Sequence, residues 1–377
     1  MDATVEFSFP TRVVFGPGSV GGLGDLCADL GITRPLVITD PGLVAVGIPD
    51  RITAPLAAAS LPHCVFHDIQ GNPVERNVLD ATQAFVDHGA DGVIGLGGGS
   101  ALDVAKAVRL RATHDLPLEE YDEYVEGWKK THADVPPMIA IATTAGTGSE
   151  VGRAAVITLE STGRKTVLFG PHLMPNVAVL DAELTVGLPP TLTAWTGMDA
   201  LTHSLEAYLS PNFHPFCDAV ALHGLRLCFE FLPGAYENGS DTAARGMMLL
   251  ASAMGATAFQ KGLGATHSLA HPLSTLHGIH HGLANAVMLP TVLDYNEEAA
   301  SRRLADVAHA IGAEGTAAES IATLSARVNI PGSLSELGIT EADLPALAEE
   351  AILDGCHLTN PRKVTVDDML DMYRATL

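Results

Sequence analysis

Positive charge is what this chain lacks most. It carries 21 Lys and Arg against 44 Asp and Glu, a formal net charge of −23. A surface of that sign repels phosphate backbones and anionic lipid headgroups, so no nucleic acid and no membrane is expected as a partner. Long apolar runs are missing as well: none approaches the roughly 18 residues of a membrane span. Cysteines are few and scattered, at Cys27, Cys64, Cys217, Cys228 and Cys356, with no C-x-x-C. That excludes a disulfide framework and points to a reducing, cytoplasmic setting. The N-terminal segment has an early acid and no apolar stretch, so it does not read as a signal peptide. Aromatics make up only 5% of residues, yet hydrophobic residues reach 47%. This is a globular, alanine- and glycine-rich composition, not a disordered one.

The 377 residues are enough for two domains with sizeable cores. Residues 1–182 alternate short Val- and Ile-rich runs with helical stretches. P-L-V-I-T-D (35–40), D-G-V-I-G-L-G (91–97), M-I-A-I-A-T-T (138–144) and V-A-V-L-D (177–181) are such runs. Strands buried on both faces read this way, so a parallel sheet covered by helices is expected. Residues 183–377 read as mostly helical, with Pro189-Pro190 marking the boundary.

In the first half, G-L-G-G-G-S-A-L-D-V-A-K (95–106) directly follows an apolar strand. Gly97, Gly98, Gly99 and Ser100 open a helix there, and amides at such an N-terminus can cradle a pyrophosphate. A second hydroxyl-rich turn, from Thr143 to Ser149, follows another strand, and Asp40 ends an earlier one. A carboxylate at that place can bind ribose hydroxyls, although Asp40 also suits a turn before Pro41-Gly42. The order is not G-x-G-x-x-G, so this is a variant form of dinucleotide binding.

The second half carries the metal candidates. Five histidines lie between His267 and His281, with Asp199 and His203 upstream. Asp199 and His203 are four apart in a helical pattern, as are His267 and His271, so each pair shares one helix face. A carboxylate with several neutral imidazoles suits zinc or iron(II), and not calcium or magnesium. Five histidines exceed what one site needs. A dinucleotide site and a metal site together suggest hydride transfer at a metal-polarised carbonyl.

At this point the chain resembles the iron-containing (group III) alcohol dehydrogenases, nearly end to end. The resemblance rests on G-G-G-S-A-L-D-V-A-K, T-T-A-G-T-G-S-E-V, G-M-D-A-L-T-H-S-L-E-A-Y, H-S-L-A-H-P-L and H-H-G-L-A-N-A-V, in that order. It implies an N-terminal Rossmann-like α/β domain, an all-α C-terminal domain as in dehydroquinate synthase, and an active site in the cleft between them. It places the metal ligands at Asp199, His203, His267 and His281, iron(II) ahead of zinc, and sets His271 beside the nicotinamide as a proton relay. It makes Asp40 the carboxylate that favours NAD over NADP. Asn72, Gly98, Gly99, Ser100, Asp103, Thr143, Thr144, Thr147 and Lys165 resemble cofactor contacts. It implies a homodimer and leaves His277 and His280 without a role.

The expected reaction is reversible oxidation of a small alcohol by NAD. Arg153 and Lys261 fall beside the active-site motifs, and two cations in so acidic a chain invite an anionic substrate. The alternative is that each pairs with a nearby acid, Arg153 with Glu150 for example. A lyase related to dehydroquinate synthase would want more basic residues for a phosphorylated substrate. A glycerol-dehydrogenase-like zinc enzyme fits an Asp-plus-three-His set less well. A non-catalytic metal-binding protein would not need the glycine-rich segment.

Overall fold

The computed structural model describes residues 9, 11–161 and 163–377. The chain divides into two compact units. One comprises Ser8–Thr144 and Gly148–Thr185; the other contains Ala145–Thr147 and Val186–Leu377.

The first unit is built on a six-stranded parallel sheet. Its strands are β1 (Arg12–Phe15), β2 (Pro35–Ile38), β3 (Cys64–Phe66), β4 (Gly92–Gly97), β5 (Met138–Ala142) and β8 (Val177–Leu180), ordered β1-β8-β5-β4-β2-β3. β6 (Ala154–Thr158) and β7 (Lys165–Phe169) form a separate antiparallel ribbon. The helices are α1 (Leu23–Leu30), α2 (Pro41–Ala45), α3 (Ile48–Ala58), α4 (Glu75–His88) and α5 (Gly99–Arg111).

The two faces of the sheet separate by strict alternation of side chains. Leu36, Ile38, Val93, Met138 and Ala140 enter one core with residues of α4 and α5. Val37, Ile94, Leu96, Ile139, Ile141 and Val179 enter another with residues of α1 and α3. The absence of polar alternation in β2, β4, β5 and β8 follows, because both of their faces are covered.

After β2 the chain places β3 on one side and then returns to add β4 on the other. The carboxyl ends of β2 and β4 therefore flank the point where strand order reverses, the place where open α/β sheets bind ligands.

The second unit is helical: α6 (Pro190–Leu209), α7 (Pro215–Glu237), α8 (Thr242–Ala258), α9 (Ala265–His277), α10 (His281–Ala310), α11 (Ala317–Arg327), α12 (Leu344–Ala351) and α13 (Val366–Thr376). α6 is buried almost all round from Thr193 onward, as the central helix of a bundle must be. Met198, Leu201 and Leu205 on α6 share a core with Leu225 and Leu232 on α7, Leu269 and Leu273 on α9, and Met288 on α10. No helix among the described residues is long and apolar enough to cross a membrane.

Arg109 ties the sheet unit together. It is 2% exposed. Its guanidinium donates to the carbonyls of Pro136, Leu173 and Met174, fastening the last turn of α5 to the segments that lead into β5 and β8. Arg109→Leu strips three carbonyls, one of them buried, of their donor. It is expected to destabilise the protein by at least about 3 kcal/mol, read as a lowered denaturant midpoint.

Candidate metal centre and dinucleotide site

Asp199, His203 and Glu206 occupy one face of α6, at i, i+4 and i+7. His267 comes from the first turn of α9, and His281 opens α10 after the break at Gly278–His280. That break turns the chain so that both imidazoles meet the α6 face.

The closeness depends on Gly282. A Cβ at this position would stand 2.2 Å from the Trp195 carbonyl oxygen and 3.1 Å from Asp199 Cβ. Only a residue with no side chain lets the start of α10 lie so near the α6 backbone.

One donor atom from each of Asp199, His203, His267 and His281 lies within 4.8 Å of the others. Asp199 Oδ1 is 3.5 Å from His281 Nε2 and 4.0 Å from His203 Nε2. Ligands about 2.1 Å from a tetrahedral ion stand about 3.4 Å apart, so these gaps suit one metal with little adjustment.

The rear atoms of the rings are held in turn. His203 Nδ1 faces the Gly146 carbonyl at 3.3 Å, and His267 Nδ1 donates to Glu206 Oε2 at 2.6 Å. Such partners leave Nε2 free of a proton. Asn285 Nδ2 donates to Asp199 Oδ1 at 2.8 Å and lies 3.1 Å from His281 Nε2 and 3.4 Å from His267 Nε2. Its Oδ1 is buried without a hydrogen-bond partner. Lone pairs thus crowd one amide group, a situation that a cation relieves. The donor set fits a divalent transition metal.

Electrostatics favour that chemistry at three of the four donors. Burial alone would raise Asp199, but His203, His281, His267 and the Asn285 amide bring it down to about 2. Burial pushes His203 down to about 4 and His281 well below the usual range, against the pull of Asp199. His267 moves the other way: burial pushes it down, but Glu206, Asp199 and Asp354 together outweigh that.

His271 stands outside this set. Its ring stacks on His281, with centroids 5.2 Å apart, and its Nδ1 donates to Asp354 Oδ2 at 2.7 Å. Asp354 Oδ1 accepts from Ser268 Oγ and the Cys356 amide. The donor atoms of His271, Asp354 and Cys356 also lie within 4.8 Å of one another. Here, however, hydrogen bonds already satisfy the carboxylate. His277 ends α9 exposed, and His280 lies against Trp195, 5.1 Å between rings.

In the sheet unit three expected segments converge where the strand order reverses. Asp40 follows β2 and caps α2, its Oδ1 accepting from the Leu43 amide at 3.0 Å. Gly97 ends β4 with φ +152°, and a Cβ there would be 2.7 Å from Ala101 and 3.4 Å from Asp40 Oδ2. Thr143 follows β5 and donates its amide to the Gly97 carbonyl, while Thr144 Oγ1 would be 3.2 Å from a Cβ on Gly98. Gly99 and Ser100 begin α5, and Ser100 Oγ donates to the Gly71 carbonyl, tethering the loop that carries exposed Asn72. Thr147 belongs with the helical unit, and Lys165 opens β7, exposed.

Two of the expected residues are engaged by internal partners. Asp103 is engaged inside the protein: Oδ1 accepts from Ser149 Oγ, and Oδ2 accepts from the Val156 amide. It anchors the turn after Gly148 and β6. Lys261 is 2% exposed and pairs with Asp218, also donating to the Tyr208 carbonyl at 3.0 Å. Its charge is consumed there. Arg153 does not pair with Glu150. It is half-buried, its guanidinium 5.0 Å over the Phe169 ring. Glu206, Asn285 and Asp354 were missed by the sequence reading. Only Glu206 left a trace, its helical spacing from Asp199 and His203.

Residues 10–182 match the family described as iron-containing alcohol dehydrogenase, and residues 193–377 match the C-terminal part of the Fe-containing alcohol dehydrogenase family. The chain is 40% identical to 4-hydroxybutyrate dehydrogenase of Cupriavidus necator over 378 residues, 97% of this chain and 98% of that one. A crystal structure of 1,3-propanediol oxidoreductase superposes with TM-score 0.95 at 36% identity, covering 100% of both chains. Sulfoacetaldehyde reductase from Bifidobacterium kashiwanohense, in complex with NAD+, gives 0.90 at 29% identity over 99% of each.

His267→Ala is expected to lose most bound metal on purification, measured by elemental analysis. His271→Ala is expected to keep it. The reverse pattern removes His267 from the ligand set.

Proposed function

Because the chain belongs to the iron-containing alcohol dehydrogenase family, we propose that it interconverts a short alcohol and its aldehyde with NAD and one divalent ion, iron(II) ahead of zinc, held by Asp199, His203, His267 and His281. The chain is an oxidoreductase acting on CH–OH groups. The observation that carries the proposal is the convergence of these four donors, with the His271–Asp354 pair beside them. When bound, the ion supplies Lewis acidity toward a substrate oxygen and NAD supplies the hydride-accepting ring.

The protein's own part is positioning and proton handling. One carboxylate and three neutral imidazoles compensate only half of a divalent charge, which favours an anionic oxygen nearby. His271 keeps its Nδ1 proton on Asp354, leaving Nε2 to accept the proton released on oxidation. Asp354 steadies the imidazolium so formed, and the side chain, 37% exposed, can return the proton to water. The backbone around Gly97, Gly98, Gly99 and Ser100 suits a pyrophosphate at the start of α5. Asn72, Thr143, Thr144, Thr147 and Lys165 are assigned to the same cofactor. None of the five cysteines is in a disulfide, which fits a cytoplasmic setting. A homodimer belongs to the same reading, supported by the exposed Val13 and Phe15 of edge strand β1.

Asp40 has Oδ2 left for ribose hydroxyls, and its charge opposes a 2′-phosphate. Asp40→Gly is expected to raise the NADPH-to-NADH ratio of kcat/KM. A wild-type enzyme that already prefers NADPH refutes this role.

Arg153 is the cation left to select substrate, and two relatives are named for anionic compounds, 4-hydroxybutyrate and sulfoacetaldehyde. We assign it a substrate carrying a carboxylate or similar anion. A charge-assisted contact contributes about 1.5–3 kcal/mol, roughly ten- to a hundredfold. Wild type should therefore favour succinic semialdehyde over butyraldehyde in kcat/KM by about that factor, and Arg153→Ala should erase the preference. An anion preference that survives the substitution rejects Arg153.

A further inference from the structure

We propose that Glu206 is the positioning residue that makes His267 a metal ligand, by holding the ring proton on Nδ1 and so keeping Nε2 bare. This rests on the ligand set above.

Glu206 and His267 are 5% and 1% exposed, so water does not compete for their contact. The carboxylate is fully committed. Oε2 accepts from His267 Nδ1 at 2.6 Å and from the Gly264 amide at 3.0 Å; Oε1 accepts from the Thr266 amide at 2.7 Å. Gly264 and Thr266 belong to the start of α9, where the helix dipole favours a negative charge. The fit is tight: a Cβ on Gly264 would stand 2.8 Å from Glu206 Oε1.

An ionised carboxylate only accepts hydrogen bonds. His267 Nδ1 must therefore carry the hydrogen, and the lone pair goes to Nε2, the atom that faces Asn285 and the other metal donors. Glutamine at position 206 has nearly the same shape and the opposite instruction. Its oxygen can serve only one side. Turned toward Thr266, it preserves the shorter backbone contact and presents its NH2 to His267 and to the Gly264 amide. The ring then avoids a donor–donor clash by moving its proton to Nε2, which blocks ligation. The other amide orientation keeps the two contacts at the Oε2 position but opposes two N–H groups across the 2.7 Å Thr266 contact, so either way glutamine loses a backbone contact that glutamate makes.

Aspartate, still acceptor-only, preserves the tautomer despite its shorter reach. The expected order of Zn2+ affinity, measured by chelator competition on the full chain, is wild type, then Glu206→Asp, then Glu206→Gln. Outer partners of metal-bound histidines typically contribute 10–100-fold, and Glu206→Gln should lose about that much. In a His267→Ala background the same substitution should have no further effect on affinity, which a merely structural role would not predict. Nitrogen-15 spectra of histidine-labelled apoprotein should place the His267 proton on Nδ1 in wild type and on Nε2 in Glu206→Gln. Wild-type affinity in Glu206→Gln, with His267→Ala impaired, overturns the role of Glu206 alone. Wild-type affinity in His267→Ala overturns the ligand set itself. Should Glu206→Gln fail to fold, a proton on His267 Nε2 in the wild-type apoprotein still refutes the proposal.

Discussion

The four candidate metal donors meet because α10 begins almost in contact with the backbone of α6. The Trp195 carbonyl and Gly282 share space that no side chain could enter. His281 precedes that glycine and Asn285 follows it by three residues, so one close approach delivers both to Asp199. α6 can serve as the fixed member because it is buried nearly all round and packs against α7, α8 and α10. A helix so confined cannot rotate to relieve strain, and its polar face is presented in one orientation.

Burying so many polar groups has to be offset locally, since each unpaired one costs about 1–3 kcal/mol. The helical unit does this by chaining partners. Gly146 backs His203, Glu206 backs His267, Asp354 backs His271, and Asn285 holds Asp199. The sheet unit follows the same logic with cations. Buried Lys106 donates to Ser149 Oγ and the Ala154 carbonyl, and Arg109 spends its hydrogens on main-chain carbonyls. Buried charge marks joints in this protein more often than it marks chemistry.

That distinction limits what the sequence can reveal. Local spacing was legible. The i,i+4 pairs at Asp199/His203 and His267/His271 put those residues on shared faces, and uninterrupted Val- and Ile-rich runs identified the covered strands. Long-range pairing was not legible. Asp103 looks like a solvent-facing acid of a glycine-rich helix until Ser149 and Val156 claim it. Lys261 looks available until Asp218, on another helix, takes its charge. Asp354 lies 83 residues from the imidazole it orients, and nothing in its neighbourhood announces the partnership. Residue type and spacing locate donors, whereas the partner of each donor is a property of the packed chain.

The tripeptide Ala145–Thr147 lies in sequence amid the sheet unit yet belongs with the helical one. Its middle residue supplies the carbonyl behind His203, and a Cβ on that glycine would stand 2.8 Å from Thr196 Cβ. The halves are consequently not interchangeable at a single cut. A chimera joined near residue 185 would inherit its candidate imidazole donors from one parent and the peptide behind one of them from the other. Recombination between relatives, natural or engineered, at that cut separates this turn from the helices it packs against.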